Sequence, residues 1–201
     1  MKNKCLFEKR ITKRTVFSGN AVDFRADTVR LPNGRTAMRE FMSHPGAVAV
    51  LPALKNGDII MVRQYRYPVG EATLELPAGK LHSRRDEPLE RAAAELQEET
   101  GYRAGKLRLL MSFWPTPAFS NELLYIYLAT GLSAGSSSPD SDEFIKVEHI
   151  PFAKALRLVK LGKIKDAKTI IALQAYELAR KTQLNFPGKD KGLRIKAKGG
   201  K

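Results

Sequence analysis

The sequence predicts an α/β sandwich with an antiparallel β extension at its N-terminus. Three observations lead there. Residues 47–54 and 58–64 are largely apolar and have the composition of strands buried on both faces. Residues 88–100 carry Leu89, Ala92, Ala93 and Leu96 at helical spacing. Further strand patterns then lead into two more helical stretches, 151–161 and 167–181. Such a mixture, in a chain of 201 residues, reads as one α/β domain with an extension. The expected divisions are an extension over 1–45, the sandwich over 46–181 and a basic tail over 182–201.

The charge is concentrated at the ends. Residues 1–20 hold six Lys/Arg against Glu8, net +5, and residues 181–201 hold seven against Asp190, net +6. Of the total +14, only +3 falls on the body. Basic ends on a near-neutral body read as solvated tails. Their few aromatics, Phe7, Phe17 and Phe186, do not alternate with the charges, so nucleic acid ranks as the less favoured partner. Cys5 is the single cysteine, which excludes an intrachain disulfide and points to a reducing, cytoplasmic setting. No apolar signal region follows the first lysines, and the longest apolar run, 47–54, is too short to span a bilayer. A membrane role is therefore not expected.

Taken in order, Val22 and Phe24, then Thr28, Val29 and Leu31, supply β-formers. Pro32-Asn33-Gly34 is a tight turn, and 36–42 is the return strand. Lys55-Asn56-Gly57 joins the two buried strands. Arg63-Gln64-Tyr65-Arg66-Tyr67-Pro68 and Glu75-Leu76-Pro77-Ala78-Gly79 then lead to the helix. Pro88 suits a first helical turn, and Gly101 a left-handed C-terminal cap. Residues 106–113 and 123–129 are strands, separated by a proline-marked loop from Trp114 to Glu122. A Gly/Ser/Pro-rich loop, 131–142, ends in Asp140-Ser141-Asp142-Glu143 before a strand over 144–148. Asp166 is placed to cap the last helix, whose Ile170, Ile171, Leu173, Ala175, Leu178 and Ala179 read as core-facing. His44, His82 and His149 are scattered without ligand spacing, which argues against a zinc site. Trp114 and Phe119 read as packing residues rather than stacking platforms.

The helix holds the chemistry. Glu95, Glu98 and Glu99 lie three and four residues apart on one face, near the helix C-terminus. Like charges at this spacing destabilise a helix by about 0.2–0.5 kcal/mol per pair, and the macrodipole there disfavours anions. Two explanations stand: a solvated acidic face partnered by Arg91, or a ridge neutralised by hard cations. Mg²⁺ is typically held by one or two carboxylates together with substrate phosphates.

The run from Gly79 through Glu95-Leu96-Gln97-Glu98-Glu99-Thr100-Gly101-Tyr102 resembles the Nudix box, GX5EX7REUXEEXGU. Two positions depart from it. The loop after Gly79 is one residue longer, so Asp86 or Glu87 stands for the first Glu. Ala94 occupies the place of the usual Arg, which ordinarily steadies the carboxylates; Arg84, Arg85 and Arg91 are the candidate substitutes. The segments TVRLPNGRTAMREFMSHPGAVAVLP, QYRYP, ELPAG and the later GKIKDAKT resemble the ADP-ribose pyrophosphatase group of that superfamily, so the likeness covers residues 10–180.

The resemblance implies a Nudix α/β/α sandwich with a mixed sheet, and a homodimer formed through the N-terminal extension. It implies Mg²⁺-dependent hydrolysis (Mn²⁺ the substitute) of ADP-ribose or a similar nucleoside diphosphate sugar, to AMP and ribose 5-phosphate. Metal ligation falls on Glu95, Glu98, Glu99 and the Ala78 carbonyl, and water handling on Glu98. Glu143 matches the loop glutamate that serves as, or supports, the general base. Arg66, Glu75, Asn121 and Glu122 match substrate contacts. Two rivals remain beside this reading: a degenerate domain that binds nucleotide without turnover, motivated by Ala94, and an RNA-directed protein using the basic ends.

Overall fold

A computed structural model of the chain describes residues 5–182. It divides into two compact units: Met1–Gly46 with Trp114–Leu123, and Ala47–Phe113 with Leu124–Lys201. The second stretch of the first unit, Trp114–Leu123, is the proline-marked loop. The tail expected over 182–201 lies, beyond Thr182, outside the described residues.

The first unit is a twisted antiparallel sheet of β1 (Lys9–Arg10), β2 (Thr15–Ser18), β3 (Asp23–Arg30) and β4 (Thr36–Ser43). The two β-rich stretches, 22–24 and 28–31, prove to be one continuous strand. β4 pairs along the full length of β3, from Asp23↔Ser43 to Arg30↔Thr36. β1 and β2 share the opposite edge of β3. Arg25 and Asp27, alternate residues on one face, are buried and bond through Nη2 at 2.7 and 2.8 Å.

The second unit is built on strand periodicity. β5 (Ala47–Pro52) is buried throughout. Its odd residues Ala47, Ala49 and Leu51 point into one core, and Val48 and Val50 into another. β11 (Leu124–Thr130) runs parallel to β5 and alternates likewise: Leu124, Ile126 and Leu128 on one side, Tyr127 and Ala129 on the other. With β10 (Lys106–Phe113) and β8 (Ala78–Lys80) they form a mixed sheet, β10-β11-β5-β8. A second sheet, β13-β6-β7, joins β13 (Lys146–Pro151), β6 (Asp58–Arg66) and β7 (Glu71–Glu75). A short ladder pairs β9 (Tyr102–Arg103) with β12 (Ser133–Ala134).

Helices cover both faces of the mixed sheet, as the sandwich requires. α1 (Pro88–Thr100) seals one face with Ala92 and Leu96, and Leu89 and Ala93 pack against the same cluster. α2 (Phe152–Lys160) and α3 (Ala167–Thr182) seal the other with Phe152, Ala155, Ala172 and Leu173. α3 differs from its sequence reading in one respect. Leu178 is exposed, whereas Thr169 and Ala172 are fully buried. Asp166 does cap α3, accepting the Thr169 N–H at 3.0 Å. Among the described residues no helix is long and apolar enough to cross a membrane.

Candidate active site

The site grows from one turn and one helix. α1 begins at Pro88, and Glu87 precedes it without a side-chain cap. Asp86 is taken up by the loop instead, accepting hydrogen bonds from the Ser83 hydroxyl and from the His82 and Ser83 N–H groups. Asp86 thus fixes the lengthened loop, and Glu87 stands at the N-cap position just before the helix.

On α1, four-residue spacing puts Glu95 and Glu99 on the buried stripe, 4% and 5% exposed, while Glu98 stands at the edge of it. The turn before the helix presses against this stripe. A Cβ on Gly79 would overlap the Glu95 carboxylate, so only glycine lets the backbone approach so closely. The Ala78 N–H points at Glu99 Oε1, 3.4 Å away. From the far side, the Leu76 N–H bonds to the buried Thr169 hydroxyl at 2.9 Å and anchors the turn to α3. Thr169 escaped the sequence reading, because a hydroxyl residue in a helical stretch leaves no mark on apolar periodicity.

Arg91 answers the question posed by Ala94. Its Nη2 lies 2.6 Å from Glu95 Oε1 and its Nη1 lies 3.2 Å from Glu98 Oε2. Residues four and seven positions apart lie along one ridge of a helix, so a single long guanidinium spans both. The carboxylates are therefore held from the preceding turn of α1 rather than from the neighbouring position.

The electrostatics match a site prepared for cations. Burial raises Glu99 to about 8, with the Glu95 charge adding to it and the Ala78 N–H opposing. Burial raises Glu95 to about 7; Arg91 counteracts this, and Glu98 adds to it. Glu143, half-buried at the end of the 131–145 loop, adds its charge to the upward shift of both. The loop thus brings Glu143 into the electrostatic field of the helix carboxylates. Among the described residues no three acidic, His or Cys groups converge as a closed metal cage. Two buried carboxylates held near neutrality suit instead an open Mg²⁺-type site, in which phosphate oxygens complete the shell.

Arg66 and Glu75 are found paired. Arg66 Nε and Nη2 grip the two Glu75 oxygens at 2.9 and 2.8 Å. Lys168 and Thr73 bond to the same carboxylate, and Lys168 also reaches Asp166 at 2.9 Å. Burial alone would raise Glu75, but the Arg66 hydrogen bonds and the Lys168 charge outweigh it and hold it at about 2. The guanidinium fork is thus turned toward Glu75, while 40% of the Arg66 side chain stays exposed. A cavity of about 400 Å³ borders this network, lined by Arg66, Thr73, Glu75, Lys165 and Lys168.

Asn121 and Glu122 belong to the first unit. Asn121 Oδ1 accepts the His44 N–H at 2.8 Å, and the Glu122 N–H bonds to the Ser120 hydroxyl at 3.1 Å. Glu122 Oε1 lies 3.9 Å from His44 Nδ1. Both residues fasten their loop to the end of β4. Trp114 and Phe119, read as packing residues, are more than half exposed. His149 lies within β13, where it meets the Tyr102 hydroxyl at 3.3 Å.

The geometry now has relatives. The NUDIX domain family model matches residues 42–173. The chain is 42% identical over 182 residues to the ADP-ribose pyrophosphatase of Bacillus subtilis (strain 168), covering 90% of this chain and 98% of that one. It is 41% identical over 177 residues to a methanol dehydrogenase activator of Bacillus methanolicus, covering 87% and 95%. A crystal structure of an ADP compounds hydrolase, 22% identical, superposes with a TM-score of 0.76 over 89% of this chain and 97% of that one, and bears on the fold alone. With the glycine turn pressed on a buried glutamate ridge, and a family match that spans most of the sandwich, the chain belongs to the Nudix hydrolase family.

Proposed function

We propose that this enzyme hydrolyses the pyrophosphate of ADP-ribose, or of a closely similar nucleoside diphosphate sugar, to AMP and ribose 5-phosphate. The observation that carries this is the pair of buried carboxylates, Glu95 and Glu99, pushed up to about 7 and 8 beside the Ala78–Gly79 turn. The named activity of the Bacillus subtilis relative supports the substrate class. In the reaction, the oxygen of a water forms a bond to one phosphorus, and that phosphorus loses its bridging oxygen to the other phosphate.

Glu95 and Glu99, with Glu98 and the Ala78 carbonyl, would hold Mg²⁺ or Mn²⁺, which screens the pyrophosphate and acidifies bound water. Glu98, at the solvent edge of the ridge, and Glu143, from its loop, take the proton that the attacking water gives up. Arg66, poised on Glu75, contributes positive charge toward the phosphates; Asn121 and Glu122 are proposed to contact the substrate. Arg91 favours turnover over the degenerate alternative, because the ridge keeps a guanidinium despite Ala94.

We place the protein in the cytoplasm, on the strength of its lone cysteine, and read it as a homodimer built through the first unit. Exposed Val16, Phe17, Phe24 and Met38 in that sheet support the dimer. Sedimentation at catalytic concentrations should give twice the 22.4 kDa chain mass, and a monomer would remove that part of the reading.

The deciding experiment is a panel of ADP-ribose, ADP-glucose, GDP-mannose, NADH and 5′-triphosphate RNA, with and without Mg²⁺ and with products identified. Metal-dependent release of AMP from ADP-ribose is the expected outcome. Binding without product across the panel would support the degenerate alternative.

A further inference from the structure

We propose that the Gly135–Ser138 segment, clamped onto the C-terminal end of α1, is the positioning element that sets where Glu143 stands relative to Glu95, Glu98 and Glu99. This deepens the reading of Glu143 given above and rests on it.

The clamp has three parts. First, the C-terminal carbonyls of a helix lack intrahelical partners. At the end of α1, the Gly101 N–H takes the Gln97 carbonyl at 2.8 Å, and the Ser138 N–H comes from the loop to take the Glu98 carbonyl at 3.0 Å. The residue whose carboxylate stands on the ridge is thus tied through its backbone to the loop. Second, Gly101 and Gly135 meet face to face. A Cβ on Gly101 would lie 2.9 Å from the Gly135 carbonyl oxygen, and a Cβ on Gly135 would lie 3.1 Å from the Gly101 carbonyl oxygen. Gly101 also adopts φ 76°, so this one glycine both ends the helix and makes room for the loop. Third, the ladder Ser133↔Arg103 and Ala134↔Tyr102 continues the contact into β9 and β12.

Four residues, Pro139 to Asp142, separate the Ser138 anchor from Glu143. Within them, the Glu143 N–H closes a turn on the Asp140 carbonyl at 2.9 Å. Beyond them, Lys146 enters β13 opposite Arg63. The loop is therefore fastened at both ends, and only the short span from Pro139 to Ile145 is left to move. Gly135 to Asp142 are all exposed, whereas Glu143 is half-buried. The anchor and the carboxylate ridge share α1, so the distance between Glu143 and its partners depends on a few bonds within one local structure.

The test is a double-mutant cycle on the full chain, with the metal-dependent reaction, Mn²⁺ binding and thermal unfolding as readouts. Gly135→Val drives a branched side chain into the Gly101 carbonyl, and Ser138→Pro removes the anchoring N–H at an exposed position. Misplacing a reacting group by about 1 Å lowers rate by up to about a hundredfold. Each variant should therefore lose about tenfold to a hundredfold in kcat. KM, Mn²⁺ affinity and the melting temperature should stay near those of the unaltered protein. Glu143→Gln should lose about a hundredfold or more. Combining either loop variant with Glu143→Gln should cost nothing further, because the clamp acts only through Glu143.

Full activity in Glu143→Gln would overturn the reading of Glu143, and the clamp with it. An impaired Glu143→Gln accompanied by loop variants of normal kcat, or by losses that multiply, would overturn the clamp alone. If Gly135→Val does not fold, Ser138→Pro decides by the same criteria.

Discussion

Arg91 shows how far single residues could be read from the sequence. The spacing of Glu95, Glu98 and Glu99 was legible, because helical offsets of three and four are arithmetic. That Glu95 and Glu99 are buried while Glu98 is half-exposed was not, since it depends on how α1 is rotated against β5 and β8. Nor could the sequence choose among Arg84, Arg85 and Arg91 as the substitute for the absent Arg at Ala94. The choice is made by the reach of one guanidinium over two turns. Arg91→Ala should therefore lower kcat by about tenfold to a hundredfold, through carboxylates no longer held in register. Adding Ala94→Arg to that variant should restore most of the loss, because a guanidinium returns to the ridge. A single variant with full activity would make the ion pair incidental, which steady-state kinetics on both proteins would reveal. Gly79→Ala should be more severe, losing about a hundredfold or more, since its methyl group takes the space of the Glu95 carboxylate. Its secondary structure, followed by circular dichroism, should be retained.

At the level of elements, period-two and period-3.6 patterns located α1, α2, α3 and the longer strands, with ends displaced by up to three residues, but not the short strands β8, β9 and β12. They failed where a contact is polar. Thr169 lies fully buried on α3 and accepts the Leu76 N–H, so the turn that supports the site depends on a helix far along the sequence. Hydrophobic periodicity counts such a threonine as neutral and passes over it. Thr169→Val keeps the shape of the side chain but leaves the Leu76 N–H buried without a partner, at a cost of about 1–3 kcal/mol. Thermal unfolding should register that loss, and activity should fall with it as the Ala78–Gly79 turn loosens. Asp166→Ala, which removes the α3 cap and one partner of Lys168 but leaves the Thr169–Leu76 bond, should destabilise by about 1 kcal/mol and leave kcat near normal. Equal kinetic defects in the two variants would show that the turn does not report on Thr169.

For the molecule as a whole, the sequence showed a basic protein but not how its charges pair. Glu75 is the clearest instance: at the level of composition it is one acidic residue among 21, yet in the fold it joins Arg66 on β6 to Lys168 on α3. Its pKa falls from 4.5 to about 2, the attraction of Arg66 and Lys168 exceeding the opposing effect of burial. A carboxylate with a depressed folded pKa contributes stability that is fully present above pH 4.5, where it is ionised in both states, and below that pH the unfolded chain binds the proton more readily. As pH falls from 4.5 to about 2, that contribution is lost. Glu148, held down by Arg63, acts in the same direction more weakly at its half-buried site near the surface. General charge repulsion, which grows as a chain of net +14 protonates, also promotes acid unfolding, but salt screens it. The melting temperature should therefore drop steeply below pH 4.5 in both low and high salt, with salt removing only part of the slope. Glu75→Gln should start less stable at neutral pH, since Arg66 and Lys168 lose their partner, and should show a flatter decline between pH 4.5 and 2. If the variant and the unaltered protein fall in parallel across that window, the acid sensitivity comes from net charge and not from the Arg66–Glu75–Lys168 junction.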